Sequence, residues 1–261
     1  MAQRKLTDRR ALVTGASSGI GRALALELAR HGCDVVLIAR RAERLEETKR
    51  QIQSLGRRAE IVVGDVTDSA TRERALDTAR NAFGALDILV NNAGIAAHGR
   101  FADSSRDRVR PIFEVNVFAP IELIRAALPL LRAGRQPIIV NIGSILGERA
   151  CPHKSEYSAS KFALHGFSEA LRPELIRDGI DVLVVAAGPT ETEHFDNLVE
   201  ELGDLPWGEP RRAPPEDVAR AVVRAIERGK SKLVPGWRAW FWLLLDRLAP
   251  GLVDRIMARY G

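Results

Sequence analysis

Short apolar runs rich in β-branched residues recur along the chain: ALVT, DVVLIA, EIVVG, DILV, PIIVNIG and DVLVVAA. Each is four to eight residues long and lacks strict alternation, which predicts strands buried on both faces. The segments between them place apolar residues at helical spacing, as in Ala23, Leu24, Leu26 and Leu28, then Leu45, Ile52 and Leu55. Strand and helix alternating in this way predict a doubly wound, Rossmann-like parallel sheet in a three-layer α/β/α single domain, with any ligand at the carboxyl ends of the strands. After DVLVVAA the pattern breaks. Residues 188 to 215 carry Pro189, Pro206, Pro210, Pro214 and Pro215 around a lone Trp207, and read as an irregular excursion with one short helix, placed as a lid.

Composition narrows the field. With 261 residues, the chain suits one α/β domain of 1–261 with a sizeable core. The net charge of +5 is spread over arginines interleaved with acids, a solvated-helix pattern rather than the basic stripe of a nucleic-acid binder. Cys33 and Cys151 are the only cysteines and fit no metal spacing; with no secretory h-region in MAQRKLTDRR, they point to a reducing, cytoplasmic setting. His98, His153, His165 and His194 match no ligand signature, so no metal is expected. His153, between Ser144 and Tyr157, is a candidate to line a pocket.

TGASSGIG, Thr14 to Gly21, joins the first strand to the first helix. In that context Gly15 serves a tight turn, Gly19 lets backbone approach a pyrophosphate, and Gly21 brings helix against strand. Ser17, Ser18 and Ile20 complete a cradle at a helix N-terminus, where free N–H groups and the dipole favour phosphate. The ligand expected is a dinucleotide. An NAD site carries an acid about 20 residues downstream, on the ribose hydroxyls; here the second strand ends in Arg40 and Arg41. Guanidinium forks suit a 2′-phosphate, so NADP(H) is expected over NAD(H).

YSASK sets Tyr157 and Lys161 at i and i+4, on one face of a helix. An adjacent ammonium, together with an oxidised nicotinamide in the alcohol-oxidising direction, is expected to favour the phenolate and bring the tyrosine toward working pH. Ser144 ends a strand at the ligand face, where its hydroxyl can bond a substrate oxygen.

TGASSGIG, GDV at 64 to 66, NNAG at 91 to 94, Asn116, Ser144 and YSASK follow one another in the order and approximate spacing of the short-chain dehydrogenases/reductases, which residues 8 to about 195 resemble. The resemblance implies a catalytic tetrad of Asn116, Ser144, Tyr157 and Lys161, with Asn116 holding a water and Lys161 also on the nicotinamide ribose. It implies Asp65 and Val66 at the adenine, and Asn91, Asn92, Ala93 and Gly94 around the cofactor cleft. Gly188, Thr190 and Thr192 stand at the nicotinamide end, although Ala187 replaces the family's usual proline there. It further implies a homodimer or homotetramer built through long helices. Pro173, downstream of the tyrosine, predicts a kink or early break in that helix.

The segment from 237 to 261 holds three of the four tryptophans and reads as an aromatic-rich helical tail. Its apolar core is too short to span a bilayer, and Asp246 and Asp254 offset some of its arginines. Packing on a partner subunit or the domain body, a pocket wall, and peripheral membrane contact all remain open. The mostly apolar or small residues at 95 to 99, 145 to 156 and 188 to 207 suggest a lipophilic ketone, aldehyde or secondary alcohol as substrate. A cofactor-sensing protein without chemistry and a membrane-recruited protein stand as the alternatives.

Overall fold

The computed structural model describes residues 3–192, 198–203, 205–206 and 211–260. Seven parallel strands form one sheet in the order β3-β2-β1-β4-β5-β6-β7. They are β1 (Arg10–Thr14), β2 (Asp34–Ala39), β3 (Ala59–Val63), β4 (Ile88–Asn91), β5 (Ile138–Ile142), β6 (Asp181–Val185) and β7 (Lys232–Leu233). The first six coincide with the apolar runs. The seventh has two residues, paired to Val184 and Val185, and carries no run that periodicity could detect.

The helices are α1 (Gly19–Arg30), α2 (Ala42–Ser54), α3 (Ser69–Phe83), α4 (Val109–Phe113), α5 (Ala119–Arg132), α6 (Ser155–Leu175), α7 (Pro215–Glu227), α8 (Trp237–Leu248) and α9 (Pro250–Met257). Alternate strand residues feed two cores, because successive side chains point to opposite faces. Ala11, Val13, Val35 and Leu37 pack with Leu24, Leu28 and Val222 on the α1, α2 and α7 face. Leu12, Val36 and Leu89 pack with Leu76, Leu123 and Leu131 on the other. This two-sided burial is why the strands read as continuous apolar runs.

Ion pairs close the amino end of the sheet. Arg10 binds both oxygens of the buried Asp87, at 2.8 Å each; burial raises the Asp87 carboxyl, but these bonds together with the backbone N–H groups of Arg135 and Arg10 hold it below its usual range. The opposite rim is left to glycines, small polar groups and cleft residues. Strand order reverses between β1 and β4, and the crevice opens at that switch point.

Several local expectations are corrected. Helix α6 runs through Pro173 and ends two residues later, passing into a 3-10 turn, Ile176–Asp178; the proline lies so near the terminus that the break coincides with the helix end. The described residues of 188 to 215 form no helix before Pro215. They are irregular, with bends and a turn, and with Thr190 bridged to Ala213 and Glu201 to His98. Trp207, His194 and Pro210 lie outside the described residues. Among those described, no helix is long and apolar enough to cross a membrane.

Candidate active site

A cleft of about 1170 Å³ lies along the carboxyl ends of the strands, and six of the seven strand ends contribute to it. The β1–α1 turn supplies Gly15, Ser17, Ser18, Gly19 and Ile20. Two of its glycines hold left-handed backbone, with φ of +65° at Gly15 and +52° at Gly19, a region L side chains avoid. Space is equally tight. A Cβ on Gly21 would stand 2.3 Å from both Asn92 Nδ2 and the Gly15 carbonyl oxygen, and one on Gly19 would stand 2.7 Å from Thr192 Cγ2. Helix α1 starts at Gly19 without a side-chain cap from Ser18, so its first N–H groups face the cleft. These residues fit a pyrophosphate: backbone donors converge where no side chain intrudes.

Arg40 and Arg41 follow β2 and line the same cleft. Arg41 donates to Ser17 Oγ from Nε and Nη2, at 3.4 and 3.2 Å. Arg40 is largely exposed, with Nη1 3.9 Å from Asp65 Oδ2. Asp65 and Val66 lie after β3, and Asn92, Ala93 and Gly94 after β4. The N–H groups of Asn92 and Ala93 donate to Thr14 Oγ1 at 2.9 and 3.0 Å, which pins the β4 loop to the glycine turn. Asn91 is a correction. Its side chain turns away from the cleft and donates to Asn141 Oδ1 at 2.8 Å, because neighbouring strand positions face opposite sides.

Ser144 follows β5, and Tyr157 and Lys161 lie on the first turns of α6. The Ser144 hydroxyl is hydrogen-bonded to the Tyr157 phenol and accepts from the Leu146 N–H at 3.1 Å. Lys161 Nζ lies 5.6 Å from the centroid of the tyrosine ring and donates to the Ile142 carbonyl at 3.2 Å. Burial pushes the Tyr157 phenol up to about 12, against a smaller downward pull from Ser144, and pushes the Lys161 ammonium down to about 8. In the chain by itself withdrawal from water outweighs the Ser144 hydrogen bond, while the expected lowering concerns the phenol beside a bound oxidised nicotinamide.

Asn116 sits in a π-turn, Glu114–Phe118, between α4 and α5, the kind of helical irregularity that re-aims a side chain. Its Oδ1 accepts from the Ile95 N–H at 2.9 Å, while its Nδ2 donates to the Ile95 carbonyl at 2.9 Å and to Ser160 Oγ at 3.0 Å. It is buried beneath the cleft and clamps the β4 loop to α6. A Cβ on Gly94 would stand 3.2 Å from Asn116 Oδ1 and 3.6 Å from Lys161 Nζ, so all three meet at one point. Gly188, Thr190 and Thr192 line the cleft beyond β6.

His153 does not line the cleft; its carbonyl accepts from the Gly99 N–H at 2.9 Å. His98 does. Cys151 and Lys154 stand beside Tyr157, and burial raises the thiol and lowers the ammonium. The tail supplies wall residues that no motif indicated: Trp242, Ile256, Met257 and Tyr260. Arg149, in the loop after Ser144, ties this tail down through Asp246 at 3.1 Å and through Asp254. The domain body and a pocket wall were among the places left open for the tail, and its inner side occupies both.

Residues 9–203 match the family model for short chain dehydrogenases. A dehydrogenase/reductase SDR family protein 7-like from Anopheles gambiae is 34% identical, over 98% of this chain and 84% of its own. The ketoacyl reductase HetN of Nostoc is 31% identical over 98% and 90%. Among solved structures, a short chain dehydrogenase from Burkholderia cenocepacia in complex with NADP is 36% identical, covers 88% of this chain and 97% of its own, and superposes with a TM-score of 0.78.

Proposed function

The chain belongs to the short chain dehydrogenase family of oxidoreductases, and from that premise we propose that it is an NADP(H)-dependent enzyme reducing a lipophilic ketone or aldehyde, or oxidising the matching secondary alcohol. The observation that carries this reading is the Ser144–Tyr157 hydrogen bond above Lys161, at the mouth of a cleft whose other end is a phosphate cradle.

Gly15, Ser17, Ser18, Gly19, Ile20 and Gly21 would hold the pyrophosphate, with Asp65 and Val66 at the adenine and Asn92, Ala93 and Gly94 along the cleft beside β4. Gly188, Thr190 and Thr192 would fix the nicotinamide. Arg40 and Arg41 offer guanidinium donors at the second strand's end, where a 2′-phosphate would lie, which supports NADP(H) over NAD(H). The NADP complex of the Burkholderia cenocepacia relative is in keeping with that choice. The bound dinucleotide supplies a hydride to the carbonyl carbon.

The side chains do the rest. Ser144 donates to the carbonyl oxygen and orients it, and Tyr157, whose phenol carries its proton at neutral pH, passes that proton to the same oxygen; in the oxidising direction its phenolate takes the proton back. Lys161 holds the phenol's position and stabilises the charge left on it. Asn116 positions Lys161's helix against the β4 loop.

Leu146, Cys151, Leu205, Trp242 and Met257 make the substrate end mainly apolar, which supports a lipophilic substrate, and the name of the Nostoc relative agrees with an acyl ketone. The segment from 188 to 215 serves as a lid. The Val199 N–H donates to the Ala96 carbonyl and the Leu202 N–H to that of His98, contacts with the loop after β4 that support this reading. The exposed Phe118 and Phe162, beside and on the long helices α5 and α6, support assembly into a homodimer or homotetramer.

A panel of aliphatic, aromatic and 3-oxoacyl ketones screened with NADPH and NADH tests the reading. Turnover of the longer apolar ketones with NADPH is expected; turnover with NADH alone, or of none of them, contradicts it.

A further inference from the structure

Helix α8 has two unlike sides. Trp237, Trp240, Phe241 and Leu248, at i, i+3, i+4 and i+11, share one face, and their exposures are 76, 56, 57 and 75%. Leu252, at the start of α9, is 49% exposed. Four exposed apolar side chains of this size on a single short helix are far more than scattered surface residues. The opposite face is the one in use: Ala239 lies over Gly188, Trp242 lines the cleft, and Asp246 pairs with Arg149.

Charge follows the same division. In the sequence, Asp246 and Asp254 offset the arginines of the tail. In the structure both acids are tied to Arg149 of the domain body. Arg238 and Arg247 stand at the two margins of the aromatic face, and Arg238 rests against the Trp237 ring at 6.0 Å. Arg255 and Arg259 are exposed on the segment that follows. Among the described residues, none of these four arginines is held in an ion pair. A tryptophan- and phenylalanine-bearing face edged by cations has the chemistry of a helix lying in a lipid interface, its rings at the acyl boundary and its guanidinium groups among anionic headgroups.

We propose that the outer face of α8 seats this protein on an anionic lipid surface. The proposal goes beyond the reductase reading and does not depend on it. If both hold, the inner side of the same helix places the apolar end of the cleft next to the surface from which a lipophilic substrate arrives.

Flotation of the full chain with vesicles tests it, using phosphatidylcholine alone and phosphatidylcholine mixed with phosphatidylglycerol. The chain is expected to float with the mixed vesicles, more weakly at high salt and with the neutral ones. Trp240→Ser/Phe241→Ser, at two exposed positions that do not line the cleft, is expected to weaken partitioning by roughly tenfold or more while leaving the thermal midpoint and the turnover of a water-soluble ketone unchanged. Arg238→Glu/Arg247→Glu, whose side chains are exposed, reads the charge arm separately and should abolish the preference for the mixed vesicles. A chain that stays at the bottom of the gradient with both vesicles overturns the proposal, as does an aromatic variant that floats like the parent. Light scattering that shows the aromatic variant breaking an oligomer of the parent also overturns it, by assigning the face to a second copy.

Discussion

The Arg108 guanidinium grips both carboxylate oxygens of Glu156, at 2.8 and 3.0 Å, one residue before Tyr157. Its third nitrogen reaches Glu200 Oε2, in the irregular stretch that follows β6, at 3.0 Å. One side chain, 1% exposed, thus joins the start of the tyrosine's helix to that stretch. Arg108→Gln strands the Glu156 charge in the interior and should lower stability by about 3–5 kcal/mol. Arg108→Lys should recover only part of it, because an ammonium cannot bind both oxygens in the same plane. Urea unfolding of the three proteins measures this; equal midpoints contradict it. On the proposed lid reading, loss of the Glu200 contact in Arg108→Lys is expected to raise KM more than it lowers kcat.

Gly21→Ala should abolish dinucleotide binding with little effect on the fold. Its Cβ would stand 2.3 Å from the Gly15 oxygen, in the phosphate turn, and from Asn92 Nδ2, which the β4 loop holds against that turn, so the cradle must open to admit a methyl group. Quenching of tryptophan fluorescence by NADPH is the readout, and retained affinity is the contrary result.

Cofactor choice should rest on the second strand's end. Truncating Arg41 to Gln removes a charged hydrogen-bond donor worth about 1.5–3 kcal/mol, an increase in the KM for NADPH of roughly 10- to 100-fold, with the KM for NADH unchanged. Equal changes for both cofactors assign Arg41 to the structure of the turn, through Ser17, rather than to the 2′-phosphate.

The buried lysine predicts a pH dependence of stability. Lys161 is held down at about 8 in the folded protein, against about 10.4 for a free lysine. Between these values the unfolded chain carries a proton that the folded chain lacks, so this group makes stability rise with pH from about 8 to about 10.4. The buried thiol of Cys33, pushed up to about 12, acts in the opposite sense above about pH 8.5. It does so equally in a Lys161→Met variant, so it cancels in the difference. The unfolding free energy of the parent minus that of the variant should climb across pH 8 to 10; a flat difference contradicts the burial argument.

The strands and the glycine turn were legible because their signals are local. β-branched runs buried on two faces, and glycines between a strand and a helix, announce themselves within ten residues. What escaped depended on tertiary placement. β7 is two residues long and exists only because β6 has a free edge. Asn91 and Asn92 are indistinguishable in sequence until strand alternation sends one inward to Asn141. The spacing of Tyr157 and Lys161 puts them together, but how deeply both are buried, which raises the phenol and lowers the ammonium in the chain alone, is set by tertiary packing. The cleft wall at Trp242, Met257 and Tyr260 lies far from every motif. Its signal was present in the helical spacing of α8, where Asp246 falls opposite Trp237, Trp240 and Phe241, marking the inward side.

The Tyr157→Phe variant tests the central claim most directly, because it removes one oxygen atom from a side chain that stays in place. Turnover of the best ketone with NADPH should fall by at least about a hundredfold, the scale of a positioned proton donor, while NADPH affinity and thermal midpoint stay near those of the parent. A variant that binds NADPH normally and still reduces the ketone at the parental rate contradicts the assignment of Tyr157 as the proton donor.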